Sequence, residues 1–213
     1  AKSVQIDNAT KEVLRYREAM LFGVNYIKKK TFLTTNAIIE IQKNLEENNA
    51  GIRKLPGTAL RNAATGKVIY TPPDNFDTIN KLLRNYEQYL NENDDVAHLI
   101  KMAVQHYQFE SIHPFYDGNG RTGRIINILY LIMNGLLENP ILFLSSYIID
   151  NKSDYYKLLQ EVRTKNNWEN WILFILKGIE LTANETIAQV NTISKLFDQT
   201  KEIVQKKTPK IYS

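Results

Sequence analysis

Residues 111–124 read S-I-H-P-F-Y-D-G-N-G-R-T-G-R, and from His113 onward twelve residues hold a base, an acid, three glycines and two arginines. Packing alone rarely needs such density. Gly118, Asn119 and Gly120 can take backbone angles closed to most residues. Consecutive N–H groups can then point into one concavity, and the positive end of a following helix adds to it. The product is an anion nest. Arg121 and Arg124, three apart on the first turn of that helix, can both reach one anion with forked guanidinium groups. Asp117 is a hard oxygen ligand suited to Mg²⁺, which takes one or two carboxylates plus phosphate oxygens, so the set implies a nucleotide–Mg²⁺ complex. His113, with an ordinary pKa of ~6.5, can accept a proton from an attacking hydroxyl near neutral pH. Pro114 disfavours helical geometry at His113 and predicts an extended loop there, with Phe115 anchoring the loop in the core.

Each part alone has a plainer explanation: a loop histidine held by a hydrogen bond, an ordinary Asp-Gly turn, two arginines paired with nearby acids. Taken together they resist it, because two cations at a helix N-terminus oppose the dipole unless an anion compensates them. Two look-alikes fail. Residues 118–123 formally match G-x-G-x-x-G, but no strand precedes them and no acid follows about twenty residues on, so a dinucleotide fold is excluded. The Walker A pattern is absent. His98 and His106 sit in an amphipathic helical pattern without zinc-site spacing and read as structural.

The elements that position this segment follow from periodicity. Apolar residues at helical spacing predict helices over 9–29, 34–47, 77–90, 95–110, 119–136, 153–164, 170–184 and 185–205. Thr34 or Thr35 caps the second, and Asp74 or Asp77 the third. Between residues 56 and 73, glycines and prolines flank two short runs, 58–61 and 67–71, that form the one credible β-hairpin. The expected architecture is an all-α bundle with a small β-hairpin flap.

Composition narrows the class. A chain of 213 residues with 43% apolar and 23% charged residues is an ordinary globular protein, neither disordered nor fibrous. A formal charge of +4 is too small to argue for a nucleic-acid surface. With no cysteine there are no disulfides, thiolate metal sites or thiol nucleophiles, which fits a reducing, cytoplasmic setting. The apolar stretch 125–149 is broken by Asn127, Asn134, Gly135 and Pro140, short of the ~20 residues of a membrane span. Neither a secretory signal nor a membrane partner is expected.

The run from His113 to Arg124 resembles the signature of the Fic family, H-x-F-x-(D/E)-G-N-G-R-x-x-R, at every specified position. The resemblance extends over most of the chain and implies one Fic-fold domain over 1–205. Its flap would lie at about 57–73 and its motif at 113–124, with 206–213 a linker leading toward a further domain. It implies a Mg²⁺-dependent protein adenylyltransferase that moves AMP from ATP to a Ser, Thr or Tyr hydroxyl and releases pyrophosphate. On that resemblance His113 is the base, Asp117 holds Mg²⁺, and Gly118, Asn119 and Gly120 cradle phosphates. Arg121 and Arg124 would bind the terminal phosphates, and Tyr155 and Tyr156 would help bind the nucleotide. The flap, with Ala63, Ala64, Thr65 and Gly66 at its tip, would pair with an extended stretch of the target protein. Self-modification is a further partner expectation. The alternatives are removal of AMP, transfer of another nucleotide or phosphate-containing group by the same site, and a non-enzymatic nucleotide-binding regulator. The family's inhibitory (S/T)-x-x-x-E-(G/N) motif is matched only loosely by residues 3–8, with Asp7 in place of Glu.

Overall fold

Short polar side chains decide where the first helices start. Asp7 accepts from the Thr10 N–H at 2.7 Å and opens α1 (Asn8–Lys30). Thr34 accepts from the Ala37 N–H at 3.2 Å and opens α2 (Thr35–Glu46). Asn75 accepts from the Thr78 N–H at 3.0 Å and opens α3 (Phe76–Asn91). A side-chain oxygen there satisfies an amide that the helix leaves without a partner. Asn75 is thus the cap, where sequence offered Asp74 or Asp77. The computed structural model describes residues 7–61, 66 and 68–208.

The remaining helices are α4 (His98–Ile112), α5 (Asn119–Met133), α6 (Leu144–Asp150), α7 (Lys152–Lys165) and α8 (Trp168–Lys207). Along α5, Ile125, Ile126, Ile128, Leu129 and Leu131 are all buried. A helix apolar on every side belongs at the centre. Here α1, α2 and α4 pack around it, and α4 in turn meets α3 and α8. Trp171 of α8 is fully buried and donates from its indole N–H to the Ala103 carbonyl of α4 at 2.8 Å, so one side chain satisfies both packing and polarity. The fold is therefore the expected all-α bundle with a small antiparallel hairpin.

Two expectations change. The separate helices over 170–184 and 185–205 are one 40-residue helix, α8, because nothing between Asn184 and Glu185 breaks the backbone ladder. It also takes in Lys206 and Lys207, so the stretch read as linker begins inside a helix. The seven-residue α6 had no sequence signal, being too short to show a period.

The hairpin is smaller than its sequence suggested. β1 (Leu60–Arg61) pairs antiparallel with β2 (Val68–Tyr70), Leu60 opposite Tyr70 and Arg61 opposite Val68. Two strands alone are marginal in water, so the anchors of β2 matter. The Tyr70 hydroxyl donates to the Ser111 carbonyl at 2.7 Å, and the Arg163 guanidinium of α7 lies 3.5 Å from the Tyr70 ring centre. Gly66 is exposed with φ +67°, while Ala63, Ala64 and Thr65 lie outside the described residues.

Candidate active site

The loop that carries the motif begins where α4 stops. His113 is not extended, as the following proline suggested, but left-handed, with φ 49° and ψ 59°. Proline disfavours the right-handed helical region before it, and a left-handed residue is what a helix C-terminus uses to turn away. The His113 N–H still donates to the Phe109 carbonyl at 2.9 Å, and its own carbonyl accepts from Arg53 Nε at 2.8 Å. Holding a residue with a Cβ in that region costs on the order of 1 kcal/mol, which these two bonds offset.

Beyond Pro114 the loop folds on Asn119. Its Oδ1 accepts from the Phe115 N–H at 2.9 Å, and its Nδ2 donates to the Phe115 carbonyl at 2.8 Å. The Asn119 side chain is buried, so it shapes the loop and leaves only its main chain to the cleft. Phe115 is fully buried beneath it. Gly118 has φ +79°, and a Cβ there would stand 2.5 Å from Glu46 Oε1. Both conformation and space demand glycine at this corner.

Helix α5 then starts with no side-chain cap, which leaves the Asn119, Gly120 and Arg121 amides without intrahelical acceptors at its positive end. An open cleft of about 250 Å³ lies over this corner, lined by His113, Tyr116, Asp117, Gly118, Asn119, Gly120, Arg121 and Arg124. Every residue assigned from the motif as base, metal ligand or phosphate ligand meets there. Tyr155 does not: it is 5% exposed, packed on Trp171, with its hydroxyl 3.0 Å from His106 Nε2. Tyr156 is 36% exposed, and its hydroxyl feels the charges of Glu110 and Arg124 beside the cleft.

Charge is distributed unevenly over the two arginines. Arg121 is held by Glu12 of α1 at 2.6 Å and Glu46 of α2 at 2.7 Å, with Asp117 at 4.0 Å. Burial pushes the Glu46 carboxyl up, against the pull of Arg121. Arg124 keeps its Nε buried with no partner among the described residues. Beneath it, Glu110 of α4 is 7% exposed, and its Oε1 is likewise buried and unpaired. Gly123 admits this carboxylate, since a Cβ there would meet Phe109 at 3.0 Å and Glu110 Oε1 at 3.1 Å. Burial pushes Glu110 up to about 7, with Arg124 and Arg163 pulling the other way.

Burial, and then the Arg53 charge, bring His113 down to about 4. The imidazole is therefore neutral at pH 7 and able to take a proton. Asp117 has 79% of its side chain exposed at the mouth, one oxygen accepting from the Gly118 N–H at 2.7 Å. No group of three acids or histidines is close enough to cage a metal among the described residues. One exposed carboxylate beside free amides does fit Mg²⁺, whose other ligands are phosphate oxygens and water.

Sequence reasoning missed Glu12, Glu46, Arg53, Glu110, Tyr116 and Arg163. Glu110 and Tyr116 could have been found, as they stand in or next to the motif. The others come from α1, α2, α7 and the loop after α2, and only the fold brings them in. Among the described residues no helix is long and apolar enough to cross a membrane.

Comparison with known proteins bears on the same residues. Residues 32–131 match the Fic/DOC family. A protein adenylyltransferase Fic of Nematostella vectensis is 25% identical over 194 residues, covering 90% of this chain and 43% of the relative. A probable protein adenylyltransferase of Aquifex aeolicus is 29% identical over 150 residues, 63% of this chain and 45% of the relative. This chain thus spans less than half the length of the curated relatives it matches. Among solved structures, a Fic family protein from Desulfovibrio desulfuricans superposes with a TM-score of 0.73 at 22% identity, over 88% of this chain and 56% of that one. Fic-1 of C. elegans superposes at 0.66 and 19% identity, over 90% and 55%.

Proposed function

We propose that this chain, whose residues 32–131 match the Fic/DOC family, is a protein adenylyltransferase. It takes AMP from ATP and places it on a Ser, Thr or Tyr hydroxyl of a target protein. The observation that carries this reading is the convergence of His113, Asp117, the free amides of 119–121, Arg121 and Arg124 on one cleft. Relatives named protein adenylyltransferase support it.

The chemistry needs one new bond and one broken one. The target oxygen attacks the α-phosphorus, the bond to the bridging oxygen breaks, and pyrophosphate leaves in line. The hydroxyl proton passes to the ring nitrogen of His113 that faces the cleft. Main-chain amides at the start of α5 and the forked guanidinium of Arg124 hold the phosphate oxygens, so positioning and charge neutralisation supply most of the acceleration. Arg121 joins them by exchanging a carboxylate for a phosphate. Asp117 would hold Mg²⁺, which supplies charge compensation on the phosphates. Tyr156 would cover the nucleotide and the flap would hold the target as an added strand, as the resemblance implies.

The test is intact-protein mass spectrometry after incubation with ATP and Mg²⁺, with and without cell lysate. The expected result is a mass gain of one AMP on the chain or a lysate protein, abolished in His113→Ala. No gain in either sample would refute the assignment. A different added nucleotide when all four triphosphates compete would move it to another nucleotidyl transfer by the same site.

A further inference from the structure

Arg53 follows α2 and is fully buried, yet no carboxylate lies within ion-pair distance of it among the described residues. Its guanidinium is spent on main-chain carbonyls from two distant segments. Nε donates to His113 O at 2.8 Å; Nη2 donates to Pro73 O and, at 3.5 Å, to Ile112 O. The Arg53 N–H donates to Pro114 O at 2.9 Å. The next two amides, of Lys54 and Leu55, donate to the Tyr116 hydroxyl at 2.9 and 3.2 Å. Residues 53–55 are thereby stitched along the catalytic loop from 112 to 116, and the same side chain reaches the end of the flap at Pro73.

A buried guanidinium answered only by neutral carbonyls, with Nη1 left unpaired, is a costly way to fill space. We propose that Arg53 is a positioning residue: it yokes the catalytic loop to the segment that leaves the flap at Pro73, fixing the distance between the His113 imidazole and a hydroxyl presented on the flap. This role rests on the nucleotidyl-transfer reading above. Its value is geometric, since an error of about 1 Å between reacting groups can cost on the order of a hundredfold in rate. A secondary effect is electrostatic. The charged groups facing His113 are Arg53, Arg163 of α7 and Asp117 of its own loop, while Asp74 faces Arg53 from the flap's end. Arg53 is the strongest of these in keeping the imidazole neutral.

Two variants separate the contributions. Arg53→Lys keeps the charge but, as a point donor, cannot bridge both carbonyls; Arg53→Gln removes the charge. In both, amide hydrogen exchange of residues 68–76 and 109–118 should rise together, by at least about threefold, while α1 and α5 stay within about twofold of wild type. Transfer of label from α-labelled ATP to lysate proteins should fall at least about tenfold with ATP–Mg²⁺ affinity within about threefold. The NMR titration midpoint of His113, one of three histidines, should rise in Arg53→Gln and stay put in Arg53→Lys. Faster exchange on one side alone, or everywhere equally, would overturn the yoke, as would wild-type transfer in Arg53→Lys. If the wild-type chain transfers no label, the enzymatic reading falls, and exchange and titration still decide whether Arg53 couples loop to flap.

Discussion

Arg121 Nη2 and Glu46 Oε1 stand 2.7 Å apart at the edge of the cleft, so a phosphate that wants this guanidinium must compete with a carboxylate from α2. Glu12 adds a second competitor from α1 at 2.6 Å, but it is the more exposed of the two and worth less. Glu46→Gln should tighten ATP–Mg²⁺ binding by about threefold to tenfold, as expected when a paired charge is released to a ligand. Isothermal calorimetry reads this directly. Weaker binding in the variant would mean that Glu46 holds Arg121 in its binding pose.

The neutral imidazole makes a second prediction. With His113 down to about 4, protonation removes the base only in strong acid, so kcat/KM for ATP should have its acid limb near pH 4 and stay flat from pH 6 to 8. An unshifted histidine would place that limb near ~6.5. Initial rates of label transfer across this range decide between the two.

Stability should respond to pH in opposite senses at two buried groups. Glu110 has its folded pKa raised, from 4.5 to about 7, so the folded state binds more protons across that window and its stability falls as pH rises through it. His106 is lowered from 6.5 to about 3 by burial, so its contribution is present above pH 6.5 and is lost as pH falls toward 3. Glu110→Gln should remove the first drift alone, gaining on wild type by up to roughly 3 kcal/mol between pH 4.5 and 7. Urea midpoints at four pH values would show it, and a parallel pH dependence in the two proteins would contradict it.

Gly118→Ala places a Cβ against Glu46 at a left-handed backbone position. A loss of about 1–3 kcal/mol in unfolding free energy is expected, together with weakened ATP binding from a displaced α5 N-terminus. Retention of both would show that the corner can relax.

What sequence could tell about this protein depended on distance along the chain. Residues 113–124 carry their own geometry, because the glycine corner, the asparagine that closes it and the helix start are set by neighbours within six positions. Periodicity likewise marks α3, whose buried Ile79, Leu83, Tyr86 and Leu90 form one regular apolar face. It fails at α6, which is two turns long, and in α8, where a helix that leaves its support shows no interruption. The partners of the cleft were illegible for another reason. Nothing local in Glu12, Glu46 or Arg53 distinguishes them from surface charges, and their meaning comes from distant contacts, 60 positions away at His113 for Arg53 and 109 for Glu12. Tyr155 illustrates the converse: an aromatic pair reads alike whether it faces a ligand or, as here, a histidine and a tryptophan in the core.

From Ile187 onward α8 has little beneath it, and Ile187, Val190, Ile193, Leu196, Phe197 and Ile203 all stand in solvent. Twenty-one residues at ~1.5 Å each make a stiff spar of about 30 Å. A load carried on this oily ridge would have its place along the spar dictated by helical rise, and shortening or lengthening the spar by a few residues would swing it around the axis by ~100° per residue.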